Sequence, residues 1–149
     1  MNTLTRSLLH LASITGLLVG CSGSNGGEPG ITPSVAISSP ADNSSVNLPL
    51  DKQVVIDFNT NYTIKAPGTC AGAENCGHVY VLIDGTSCDL PSLPYNTLAS
   101  SSPTSADFSK CTVSTGQHTI TLELYDDTGT AVDTLLGNPV TTAVTITAQ

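Results

Sequence analysis

From Val35 onward the apolar residues recur at every second position, and no segment carries them at the 3.6-residue spacing of a helix. Val35 and Ile37 alternate with Ala36 and Ser38 until Pro40 breaks the run. Over residues 53–64, Val54, Ile56 and Phe58 share one face. Between His78 and Asp84, Val79, Val81 and Ile83 take one face while Tyr80 and Leu82 take the other. That pattern predicts a central strand covered on both sides. Residues 106–113 form a weaker strand, Ile120, Leu122 and Leu124 point inward from residues 119–126, and Val140, Thr142, Val144 and Ile146 close the chain. Turn chemistry separates these runs: Asp42-Asn43-Ser44, Asp84-Gly85, Thr115-Gly116 and Asp127-Thr128-Gly129. Six or seven short strands with no helices between them have no means of making βαβ crossovers. They imply an all-β antiparallel sandwich or barrel. With 4% aromatic residues and no Trp, the core must be built from Val, Ile and Leu.

Two stretches narrow the choice. Val35-Ala36-Ile37-Ser38-Ser39-Pro40-Ala41-Asp42-Asn43-Ser44 resembles the opening strand and Pro-Asp turn of bacterial Ig-like and fibronectin-like domains. Gly116-Gln117-His118-Thr119-Ile120-Thr121-Leu122, followed by Asp126-Asp127-Thr128-Gly129, resembles their penultimate strand and hairpin turn. The resemblance implies an Ig-like sandwich of about seven strands over residues 33–149. It is not the antibody pattern, which needs a Trp and cysteines on facing strands. A third stretch, Gly77-His78-Val79-Tyr80-Val81-Leu82-Ile83-Asp84-Gly85, resembles a Gly-His-x-His-x-x-x-Asp-Gly strand of small envelope lipoproteins. Tyr80 stands where the second histidine would be, so half of that pattern's histidines are gone.

The first 21 residues carry an address. Arg6 is the only positive side chain of a short n-region, and the uncharged, mostly apolar run Leu8 to Val19 follows. A bilayer-spanning helix needs about 20 apolar residues, so this run has the length of a signal-peptide core instead. It ends Leu18-Val19-Gly20-Cys21, which resembles the bacterial lipobox. The resemblance implies cleavage after residue 20, lipid on Cys21, and membrane attachment by two or three acyl chains, palmitate-like in size. Each buried CH₂ adds about 0.8 kcal/mol, so several chains hold where one does not. Ser22, not Asp, follows the cysteine, which by the same resemblance favours the outer membrane in a Gram-negative envelope. Residues 21–32 (Ser-Gly-Ser-Asn-Gly-Gly-Glu-Pro after the cysteine) then form a flexible tether.

The mature chain has three lysines against twelve acids, a net charge of −9. That charge repels nucleic acid and anionic head groups alike, so nucleic-acid binding is excluded and the lipid must hold the protein to its membrane. No cofactor is implied beyond that covalent lipid. With Cys21 assigned to lipid, Cys70, Cys76, Cys88 and Cys111 remain. An even number in an exported chain implies disulfides. Three connectivities are possible. Cys70–Cys76 with Cys88–Cys111 is favoured, because the first pair closes a short local loop and the second ties down a Ser- and Pro-rich segment. Loop-entropy arithmetic gives about 2 and about 3 kcal/mol for the two. A four-cysteine zinc site lacks the required C-x₂₋₄-C spacing.

Catalytic signals are sparse. No G-x-S-x-G occurs, and the mature chain has only His78 and His118. On antiparallel neighbouring strands these two lie about 20 Å apart at 3.4 Å per residue. Their phases place them on opposite faces, so they do not share an ion. His118 reads as a structural residue bonding a nearby turn. His78 falls near Tyr125, Asp126 and Asp127 and beside the Cys70–Cys76 loop with Glu74. One histidine with several carboxylates is a candidate divalent-ion site, although Asp at a turn is expected for hydrogen bonding alone. Sandwich loops also bind partners. Tyr80 and Tyr125 lie towards the end with the Cys70–Cys76 loop and the turn at residues 126–129, and Tyr95 sits in the second candidate surface, residues 90–105. The leading expectation is a non-enzymatic structural or partner-binding role at the cell envelope, with an envelope or surface protein or a glycan as partner. Metal binding by His78 and nearby acids is the alternative, and an enzyme of no recognisable type comes third.

Overall fold

The computed structural model describes residues 31–88 and 93–149. The expected signal peptide, the expected lipidation site Cys21 and most of the expected tether lie outside the described residues. So do residues 89–92.

Among the described residues nine strands form two sheets. They are β1 (Val35–Ser39), β2 (Ser44–Val46), β3 (Gln53–Thr60), β4 (Thr63–Ile64), β5 (Cys76–Ile83), β6 (Thr97–Ala99), β7 (Thr104–Asp107), β8 (Gly116–Asp126) and β9 (Thr141–Ala148). The smaller sheet runs β1-β3-β7. The larger runs β2-β9-β8-β5-β4, with β6 also paired to β5. The long pairs are antiparallel. Two short ones, β2 on β9 and β4 on β5, are parallel. With the two-to-three-residue parallel strands β2 and β4 set aside, β1, β3 and β7 are the first, second and fifth of seven strands and share one sheet, while β5, β8 and β9, the third, sixth and seventh, share the other, as in an Ig-like sandwich.

The alternation read from the sequence explains the layers. β3 buries Val54, Ile56 and Phe58 and exposes the residues between them. β8 buries His118, Ile120, Leu122 and Leu124, and β9 buries Val144, Ile146 and Ala148. These side chains meet Val79, Val81 and Ile83 of β5 in one core. β5 is buried on nearly every residue, as a strand covered on both faces must be. Asp84 and Gly85 end it with φ of 54° and 71°. Ile83 and Thr86 exchange both backbone hydrogen bonds across those two residues, each at 3.0 Å. Two successive positive φ values over a two-residue loop make a type I′ turn, whose twist suits the flanking strands.

The structure departs from the sequence expectation between residues 106 and 113. The strand ends at Asp107, and Phe108–Lys110 form a 3-10 turn. The Asp107 side chain accepts from the Ser109 N–H and caps that turn, so local capping overrides the weak alternation. Phe108 is fully buried as a result. The run expected over residues 53–64 divides into β3 and β4, which join different sheets, and β2 and β6 were not expected. β2, β4 and β6 are each two or three residues long and are defined by their partners more than by their own sequence.

Cys70 stands at disulfide distance from Cys76, with Cα atoms 5.8 Å apart. Cys88 pairs likewise with Cys111, at a Cα separation of 4.7 Å. The first bridge closes the loop entering β5. The second ties the chain after β5 to the segment before β8.

Candidate functional site

The antiparallel register of β5 and β8 sets His78 opposite Tyr125 and Tyr80 opposite Glu123. These residues are out of phase with the buried Val79, Val81 and Leu124, so they occupy the outer face of the larger sheet. Tyr95, just before β6, folds onto the same face. Its ring stacks on Tyr80 with centroids 4.0 Å apart and planes at 19°. Tyr80 meets Tyr125 at 4.3 Å. His78 lies 5.0 Å from Tyr80 and 5.9 Å from Tyr125. The three tyrosines are half-buried. The two candidate surfaces anticipated from the sequence therefore meet in one aromatic cluster drawn from three distant parts of the chain.

Electrostatics follow from that packing. Burial raises the Tyr80 and Tyr125 hydroxyls above the ordinary phenol value, with neighbouring Tyr95 adding at Tyr80 and Glu123 at Tyr125. The Tyr125 hydroxyl donates to Glu123 Oε2 at 3.3 Å. His78 is fully buried, and neither ring nitrogen has a hydrogen-bond partner. Burial lowers its pKa below 6.5, opposed by the charges of Asp126 and Asp127.

That shift predicts a pH effect. Below about 6.5 the unfolded chain takes up a proton that folded His78 resists, so stability falls with acid as pH drops from about 7 towards 5. Thermal unfolding of His78→Phe should show a flatter Tm across this window than the parent. An equal slope in the two proteins would assign the effect elsewhere.

The acids near His78 are already occupied. Asp126 Oδ1 accepts from the Thr128 N–H, the Thr128 hydroxyl and the Thr130 N–H at 2.8, 2.8 and 2.9 Å. Burial raises its pKa, but the hydrogen bonds from Thr130, Thr128 and Gly129 outweigh burial and hold the carboxyl below its ordinary value. Asp127 Oδ1 accepts from the Cys70 N–H at 3.1 Å, and its carbonyl accepts from Gly68 N–H at 3.1 Å. These two acids fix the turn and pin the disulfide loop to it. Glu74 is exposed on that loop. Among the described residues no group of three or more His, Cys, Asp and Glu is placed to hold a metal ion.

His118 lies at the opposite end of β8 and on the opposite face, as its phase requires. Its Nδ1 sits 2.8 Å from Asp84 Oδ2 in the type I′ turn. Asp84 Oδ1 accepts from the Thr119 N–H at 2.8 Å. Phe108 packs on the ring at 5.0 Å in an edge-on arrangement. A pocket of about 190 Å³ opens beside His118, lined also by Ile83, Asp84, Thr86, Cys88, Cys111 and Val113. Sequence reasoning assigned His118 to the turn and missed the pocket, whose walls come from the end of β5 and the turn after it, the start of β8, and the segment between the 3-10 turn and β8.

Fold and surface together define an Ig-like sandwich module with a tyrosine-rich outer sheet face. No family model matches the chain. No curated protein matches it either. Among solved structures it is similar to the fibronectin(III)-like modules of Clostridium thermocellum CbhA. The identity is 16% and the TM-score 0.45, over 77% of this chain and 95% of that chain.

Proposed function

We propose that this is a lipid-anchored protein of the cell envelope whose sandwich has a non-enzymatic, partner-binding role. The carrying observation is the cluster of Tyr80, Tyr95 and Tyr125 on an outer sheet face. Tyr is enriched at the energetic centres of protein interfaces because a rigid ring offers much contact area at little entropic cost. Side chains from β5, β8 and the chain before β6 converge there, where a solvent-facing sheet needs no aromatic cover. An envelope or surface protein is the partner class this surface suits best.

The lipobox-like run ending in Cys21 supports the anchor, and Ser22 favours the outer membrane. A strongly acidic domain gains nothing from anionic lipid, so attachment should depend wholly on that cysteine. Cys21→Ser should move the protein from the membrane fraction to the soluble fraction of lysed cells. A variant that stays membrane-bound would sink the anchor. A photo-crosslinking residue in place of Tyr95 tests the surface. A discrete protein adduct, lost when Tyr125→Ser is added, supports the proposal. No adduct, together with retention on purified cell-wall polysaccharide that Tyr125→Ser abolishes, would replace the protein partner by a glycan.

A further inference from the structure

The two disulfides sit in different surroundings. Cys70 and Cys76 are 2% and 4% exposed. Cys88 and Cys111 are only half-buried and line the pocket beside His118. Two further groups bear on the same bridge. Asn96 is 1% exposed. Its Oδ1 accepts from Asp107 N–H at 2.8 Å, and its Nδ2 donates to the Asp107 carbonyl at 3.0 Å. The same Nδ2 donates to Cys88 Sγ at 3.8 Å. His118, 6% exposed, forms part of the pocket wall, with Nδ1 paired to Asp84 and Nε2 buried. A fixed N–H on one sulfur and an open pocket meet at one disulfide.

We propose that Cys88–Cys111 is a thiol-exchange site that takes a small-molecule thiol, such as a cysteinyl side chain presented by a short peptide. The incoming thiol loses its proton to water and enters the pocket as its thiolate, the form that attacks a disulfide. The thiolate attacks Cys111 Sγ and a new sulfur–sulfur bond forms there. The Cys88–Cys111 bond breaks, and its electron pair leaves on Cys88 Sγ, where the Asn96 amide N–H stabilises the thiolate. Exchange is faster when the leaving thiolate is better stabilised, which fixes the direction of attack. The product is a mixed disulfide on Cys111 and a thiol on Cys88. A second thiol of the same class attacks the mixed disulfide, freeing Cys111 as a thiol and releasing the oxidised thiol dimer. Asn96 is a positioning residue for chemistry that occurs on the sulfurs.

The test uses the whole chain in detergent, exposed under native conditions to increasing 2-mercaptoethanol, blocked with iodoacetamide and mapped as peptides. Cys88 and Cys111 should open at thiol concentrations at least about tenfold below those needed for Cys70 and Cys76. The trapped adduct should lie on Cys111. Both bridges opening together, or Cys70–Cys76 opening first, would overturn the proposal, as would an adduct found on Cys88. Asn96→Ala should slow the opening about tenfold. Asn96→Asp, which keeps the shape of the side chain but replaces the donor by an acceptor, should do the same and serves if the first variant fails to fold. Unchanged rates in folded variants would overturn the proposal, since exposure alone would then account for the opening.

Discussion

Replacing Gly77 by alanine should unfold the domain or weaken it by about 4 kcal/mol or more, a size that marks a specific steric fault. Gly77 pairs with Asp126 across β5 and β8. A Cβ at this position would lie 1.9 Å from the Tyr125 carbonyl oxygen, 2.9 Å from its carbonyl carbon and 3.0 Å from Asp126 Cα. All three atoms are backbone, so no side chain can turn aside to make room. The strands must part where Lys65 N–H also donates to the Gly77 carbonyl at 2.7 Å. Parting would pull His78 from Tyr125 and loosen the aromatic cluster, so tyrosine fluorescence should report the change along with guanidinium unfolding. Gly72→Ala makes the control. Its φ is +79° but nothing lies within 4 Å of the added carbon, so only backbone strain of about 1 kcal/mol is expected. Equal losses for the two variants would refute the close-approach argument.

Gly77 also shows where sequence reading stops. A glycine inside a strand pattern signals a bulge or a close backbone approach, but only the β5–β8 register shows which backbone approaches. The long strands were legible because each carries its own periodic signal. Val79, Val81 and Ile83, or Ile120, Leu122 and Leu124, need no partner to announce a face. Ser44 was read as the end of a turn, yet Ser44–Val46 pairs in parallel with Ile146–Ala148. Three residues have too short a pattern to declare themselves, and the partner supplies the order. The opposite placement of His78 and His118 was legible from phase alone. The cluster was legible only in pieces, because Tyr95 belongs to a Pro- and Ser-rich stretch whose path has no period to read. The parallel pairs and the pocket depend on chain crossings that local sequence does not encode.

Phe108 was passed over as part of a weak strand, and it should prove one of the costliest core residues to truncate. It is fully buried at the 3-10 turn, with its N–H donating to the Lys52 carbonyl at 2.9 Å. Its ring joins the core shared by the two sheets and packs against His118. Phe→Ala in such a site loses the transfer free energy of the ring and leaves a cavity, together about 3–5 kcal/mol. The turn is capped by Asp107 and crosslinked one residue later at Cys111, so the backbone has little freedom to collapse into the gap. That argues for the upper part of the range. Phe108→Leu keeps most of the volume and should cost about 1–2 kcal/mol. Val55→Ala, at a position 59% exposed on β3, should stay within about 0.5 kcal/mol of the parent. Guanidinium unfolding of the three variants checks the order. If Phe108→Ala cost no more than Val55→Ala, the two sheets would not be held together through this ring.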